Sequence, residues 1–195
     1  MPKRAKSDGS LTGGSGDVNP QWFGMQVSQQ GTDLTTTAAV PLPVQRLKDE
    51  GKSQVMEVLR VQWDLPAFLP GSSSTLSVLG ILTTKDPNLT SGNIPLTTFN
   101  KLRAQGSTVD YFNRTFATSA TFVGDIGYDE PTMHDLTDGA GHGLLVATDT
   151  LFLTVASEVG SSGATGAQSN IMCKVLYRWK NVTVQEYVGI VQSQT

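Results

Sequence analysis

The sequence predicts an all-β fold: a single jelly-roll sandwich of about eight antiparallel strands in two sheets, with a flexible basic N-terminal arm. Three observations point there. Thr, Val and Ile number 46 against 25 for Ala, Lys and Glu, and β-branched side chains suit a pleated surface better than a helix. Gly 20 and Pro 9 supply turns throughout. Two long stretches alternate apolar and polar residues with a period of two. A length of 195 residues fits one domain, or one domain plus an arm, and can bury a core without disulfide or metal staples.

Residues 1–20 read as the arm and 21–195 as the jelly-roll domain. The arm opens with Lys3, Arg4 and Lys6 and continues as the Gly/Ser-rich SLTGGSG. Strand signals begin at Trp22, and Phe23 to Gln29 alternates loosely. TTTAAVPLPV (Thr35 to Val44) is extended, but Pro41 and Pro43 remove two ladder donors, which points to an edge strand or an extended arm. Arg46 to Ser53 is a charged turn.

QVMEVLRVQWDLP carries the clearest early alternation. Leu59, Val61, Trp63 and Leu65 fall on one face, and Arg60, Gln62 and Asp64 on the other. Thr75 to Thr84 is a further strand, and Lys85 to Asn93 a loop. Thr98 to Gly106 fits a short helix or a strand. Ser107 to Gly127 holds two strands or one bent one. Residues 125–143 read as a long loop with one helical turn near Met133. Gly143 to Val159 is a strand pair or one long strand, and Gly160 to Ser169 a flexible loop. In NIMCKVLYRWKNVTVQEYVGIVQ, Ile171, Cys173, Val175, Tyr177 and Trp179 share one face. Met172, Lys174, Leu176, Arg178 and Lys180 share the other.

The chemistry is sparse. One cysteine excludes an internal disulfide and a Cys-based zinc site. No GxSxG elbow, P-loop or dinucleotide fingerprint occurs, so neither an enzyme nor a cofactor is expected. No apolar run is long enough for a membrane span, and the start lacks the apolar core of a secretory signal. Asp125, Asp129, Glu130, Asp135 and Asp138, with His134 and His142, could hold Ca²⁺. No EF-hand spacing supports this, and a solvated acidic loop is the plainer reading.

Charge is modest: 16% of residues are charged and the net charge is -3. Bulk charge therefore gives no sign of a strongly basic nucleic-acid binder. Lys3, Arg4 and Lys6 read as a nuclear import signal, as an arm touching phosphates, or as an ordinary charged terminus. Basic residues interleave with aromatics around Phe99 to Phe116 and again around Lys174 to Lys180. If Tyr177 and Trp179 face the core, Lys174, Arg178 and Lys180 form a basic stripe. That stripe serves nucleic acid, intersubunit ion pairs or simple solvation.

QVMEVLRVQWDL (Gln54 to Leu65) and CKVLYRWKNVTVQEYVGIVQSQ (Cys173 to Gln194), with the short basic start, resemble capsid proteins of small circular Rep-encoding single-stranded DNA viruses. The resemblance implies a jelly roll that self-assembles into an icosahedral shell of about 60 copies, or a multiple, around a genome. It implies a virion component that passes through the host nucleus and contacts viral nucleic acid, here through Lys3, Arg4, Lys6 and, secondarily, Lys174, Arg178 and Lys180. It names no receptor and no membrane partner. Circovirus-like capsids carry a long Arg-rich arm, whereas this arm holds three basic residues. The alternatives are a small RNA virus capsid or a lectin-like, carbohydrate-binding jelly roll, because fold does not fix function.

Overall fold

The computed structural model describes residues 19–29, 35–43, 52–69, 75–89, 101–117, 131–159 and 168–194. The strands are β1 (Gln21–Gln29), β2 (Thr35–Pro41), β3 (Lys52–Leu69), β4 (Thr75–Thr83), β5 (Thr108–Ala117), β6 (Thr132–Asp135), β7 (Leu144–Val146), β8 (Thr150–Val159) and β9 (Gln168–Thr183). A helix, α1 (Val184–Ser193), follows them.

One sheet runs β1-β9-β3-β6, with β7 also paired to β3; the other runs β2-β8-β4-β5. Every pairing is antiparallel. Strand β6 pairs Arg60 to Trp63 and β7 pairs Met56 to Val58, so the two short strands share one edge of β3. Each sheet thus has four strand positions, the predicted two-sheet jelly roll.

The core lies between the sheets. Val61, Trp63 and Leu65 from β3 meet Val78 and Leu82 from β4, Leu151, Leu153 and Val155 from β8, and Ile171, Cys173 and Val175 from β9. The Trp63 ring stacks on Phe112 at 6.0 Å between centroids. It also lies over Gly80, where a Cβ would come within 2.8 Å of the ring. A side chain at position 80 would push the sheets apart, so the indole of one sheet fixes a glycine in the other.

The two alternating stretches are strands with the expected faces, apart from one slip. A bulge interrupts the β3–β9 register between Val58 and Arg60. Core-facing residues therefore run Met56, Val58, then Val61, Trp63 and Leu65, and Leu59 lies outside that core cluster. The edge placement of Thr35 to Pro41 holds, since β2 ends the smaller sheet.

Four local expectations need correction or completion. The helical turn expected near Met133 is strand β6, held by its ladder to β3. Gly143 to Val159 divides into β7 and β8, which belong to different sheets. Residues 101–103 are helical, and their Leu102 covers Leu79 and Ile81 on the outer side of the smaller sheet. The last stretch is strand only as far as Thr183. There Thr183 Oγ1 accepts from the Glu186 N–H and the Glu186 carboxylate accepts from the Thr183 N–H, a capping box that starts α1. The arm's basic residues, Phe99 and the 160–167 loop lie outside the described residues.

Candidate functional site

The outer face of the larger sheet carries Lys174, Arg178 and Lys180 of the predicted site residues, while Lys3, Arg4 and Lys6 lie outside the described residues. Alternation sets which side chains reach that face. In β1, Met25 and Val27 are buried while Trp22, Gly24, Gln26 and Ser28 are exposed. In β9, Lys174 is exposed opposite buried Cys173 and Val175. Register then builds rows across the sheet. One row reads Trp22, Leu176, Arg60, Asp135, and the next reads Gly24, Lys174, Gln62, Met133.

The three cations of the predicted stripe have different surroundings. Glu57, across the ladder from Arg178, is fully buried although it points away from the core. Its carboxylate accepts from Arg178 Nε, pairs with Lys180 Nζ at 3.5 Å, and accepts from the Gly143 N–H at 3.0 Å. Arg178 also donates to the Gly141 carbonyl at 3.2 Å. Burial alone would raise the Glu57 carboxyl. The Arg178 and Gly143 hydrogen bonds and the two cationic charges outweigh it and hold the group below its ordinary value. Arg178 and Lys180 thus neutralise a buried carboxylate and tie down the loop before β7. Lys174 has no ion-pair partner among the described residues.

Around Lys174 the face opens. Trp22, Gly24, Gln62 and Lys174 line a depression of about 420 Å³. Trp22 is 50% exposed. A Cβ built on Gly24 meets nothing within 4 Å, so the depression lies over bare backbone. Trp22, Gly24 and Gln62 were not singled out from the sequence. The available signal was parity in W-F-G-M-Q-V, where Phe23, Met25 and Val27 take the core side and leave the indole outside.

Other candidate groups are engaged elsewhere. Asp110 of β5 accepts from Trp63 Nε1 at 2.7 Å and bonds His134 Nδ1 of β6 at 2.9 Å, linking the two sheets at one side. Burial, with the Asp110 charge, pushes the Cys173 thiol well up, so it is no nucleophile. Asp135 pairs with Arg60 at 3.4 Å, and Asp138 with His142 at 3.0 Å. Asp125, Asp129 and Glu130 lie outside the described residues. Among the described residues no three His, Cys, Asp or Glu groups converge for a metal. Arg103 stacks on the Tyr111 ring at 3.8 Å. A second cleft of about 520 Å³, of mixed polar and apolar lining, lies between Lys85, Asn88, Leu102, Gln105 and Ser193.

No family model matches the sequence, and no curated protein matches it. Solved structures do match, among them VP1 capsid proteins of polyomaviruses. The VP1 pentamer of human polyomavirus 6 superposes with a TM-score of 0.52 at 17% identity, covering 83% of this chain and 95% of that one. VP1 of trichodysplasia spinulosa-associated polyomavirus, solved with sialylated precision glycooligomers, gives 0.50 at 10% identity over 86% and 98%. At these identities the likeness is one of fold.

Proposed function

We propose that this chain is the capsid protein of a small virus, that its copies assemble into a closed icosahedral shell of about 60 subunits or a multiple, and that the shell encloses single-stranded DNA. The observation that carries the reading is the paired four-position sheets of a jelly roll, matched over 83% of this chain by a capsid subunit. The circovirus-like wording of Gln54 to Leu65 and Cys173 to Gln194 favours a single-stranded DNA genome over RNA. That polyomavirus subunit was solved as a pentamer, the local ring a five-fold axis of such a shell requires.

The mechanism is assembly, not catalysis. Many individually weak contacts between copies add up through multivalency. Val184 and Val188, about half exposed on α1, are apolar surface that such contacts can cover. Inside the shell, Lys3, Arg4 and Lys6 neutralise phosphates, and the same run serves nuclear entry. Lys174 contributes from the sheet. Arg178 and Lys180 contribute less, because Glu57 already balances them.

Expression of the full chain followed by negative-stain microscopy and nuclease digestion tests this. Uniform particles protecting DNA are expected. A Lys3/Arg4/Lys6→Gln triple variant should still form particles while protecting less nucleic acid, with binding that weakens as salt rises. Protected RNA would overturn the genome assignment, and unchanged packaging in the triple variant would remove the arm from it.

A further inference from the structure

We infer that the depression formed by Trp22, Gly24, Gln62 and Lys174 is a nucleotide-binding site for single-stranded nucleic acid, in which a base stacks on the Trp22 indole and its phosphate pairs with Lys174. The inference takes its ligand class from the capsid reading and adds the place and the residues.

Four features of the depression fit this ligand. An indole half in solvent offers a flat π-face, and base–aromatic stacking tolerates any sequence. Lys174 supplies a cation that no carboxylate among the described residues neutralises. Gln62, across the ladder from Lys174, brings an amide with both donor and acceptor to the rim. Gly24, the other ladder neighbour of Lys174, leaves the floor open where any side chain would fill it.

Size and connectivity support the same occupant. About 420 Å³ lies within the range of small-ligand sites. A contact between protein copies instead needs roughly 800 Å² per partner, far more than the four residues that line this depression. The basic residues Lys3, Arg4 and Lys6 join the domain through Gln21, the residue before Trp22.

Gly24 makes the test discriminating. A glycine in a strand interior weakens the strand, and here no backbone contact demands one. Gly24→Val should therefore raise or preserve the melting temperature while blocking the floor. A purely structural role could not produce both effects.

The experiment uses the full chain, stripped of co-purified nucleic acid by nuclease and high salt. A fluorescein-labelled oligothymidylate is titrated by anisotropy at several salt concentrations. Trp22→Ala should weaken binding roughly tenfold. Lys174→Gln should weaken it and lower the salt slope by about one. Gly24→Val should weaken it without loss of stability, and Lys85→Gln, an exposed change away from this face, should leave it unchanged. Wild-type affinity in both Trp22→Ala and Gly24→Val would overturn the inference. So would sialyllactose binding through Trp22 with oligonucleotide binding untouched, or loss of particles in Gly24→Val with full oligonucleotide affinity. Microscopy of the same samples separates the two proposals. Intact particles with unchanged variant affinities sink only the nucleotide site. Absence of wild-type particles sinks only the capsid reading, because the anisotropy series still decides the site.

Discussion

The two ends of one sheet face use the same residue types to opposite purposes. At the end capped by α1 and the loop before β7, Arg178 and Lys180 converge on Glu57, a carboxylate with no exposure. At the other end Lys174 stands exposed beside a half-exposed indole and a bare glycine. Residues 174, 178 and 180 are one alternating stripe in the sequence, yet cross-strand neighbours decide what each does. Val55 and Glu57 stand across the ladder from Lys180 and Arg178, whereas Gln62 and Gly24 stand across from Lys174. Charge in a motif therefore gives the capacity for binding, and register decides whether that capacity is left over.

The largest expected effect lies at the closed end. Glu57→Gln leaves two cations facing a buried amide and should cost about 3 kcal/mol in denaturant unfolding, while freeing Arg178 and Lys180 to strengthen oligonucleotide binding modestly. Its pH dependence sharpens the point. The Glu57 carboxyl is held below its unfolded value, so its contribution is complete above about pH 5 and fades as pH falls through the folded value. Stability curves of the wild type and Glu57→Gln should converge in acid. A constant gap at low pH would show that the cluster is not electrostatic.

Asp110→Ala comes next. It strips the partner from the buried Trp63 N–H and should cost about 2 kcal/mol, without touching the open end. Thr183→Ala removes the cap of α1 and should cost about 1 kcal/mol. The smallest effect belongs to the open end, where Lys174→Gln should change stability by less than about 0.5 kcal/mol while weakening oligonucleotide binding. A stability loss at Lys174 as large as that at Glu57 would erase the contrast between the two ends.

The fold was legible where a strand is long and covered on one side. In β9, residues 171 to 179 alternate without interruption, and the core side matches the apolar parity. In β3 the same reading holds beyond Val61 but fails at Leu59, because a bulge shifts parity by one residue and leaves no mark in composition. Strand β6 is four residues long, too short for periodicity, and exists through its pairing with β3. Helix α1 had a written signal, the Thr183 and Glu186 spacing of a capping box, hidden by the run of valines that continues the strand composition.

The site was half legible. Lys174 followed from parity; for the stripe the sequence offered intersubunit ion pairs, whereas Arg178 and Lys180 pair with Glu57 of the same chain. Glu57 did not, since a glutamate on the outward side of a strand reads as solvated until the loop and the two cations that cover it are known. Trp22 and Gly24 become a pair only through their shared face and the row that places Gly24 beside Lys174.

Sedimentation velocity of the purified full chain, run across protein and salt concentrations, tests the capsid reading most directly. A sharp, fast-moving boundary of uniform closed particles, with smaller rings as the species that feeds it, is the predicted result. A monomer that persists at every concentration and salt would contradict the account.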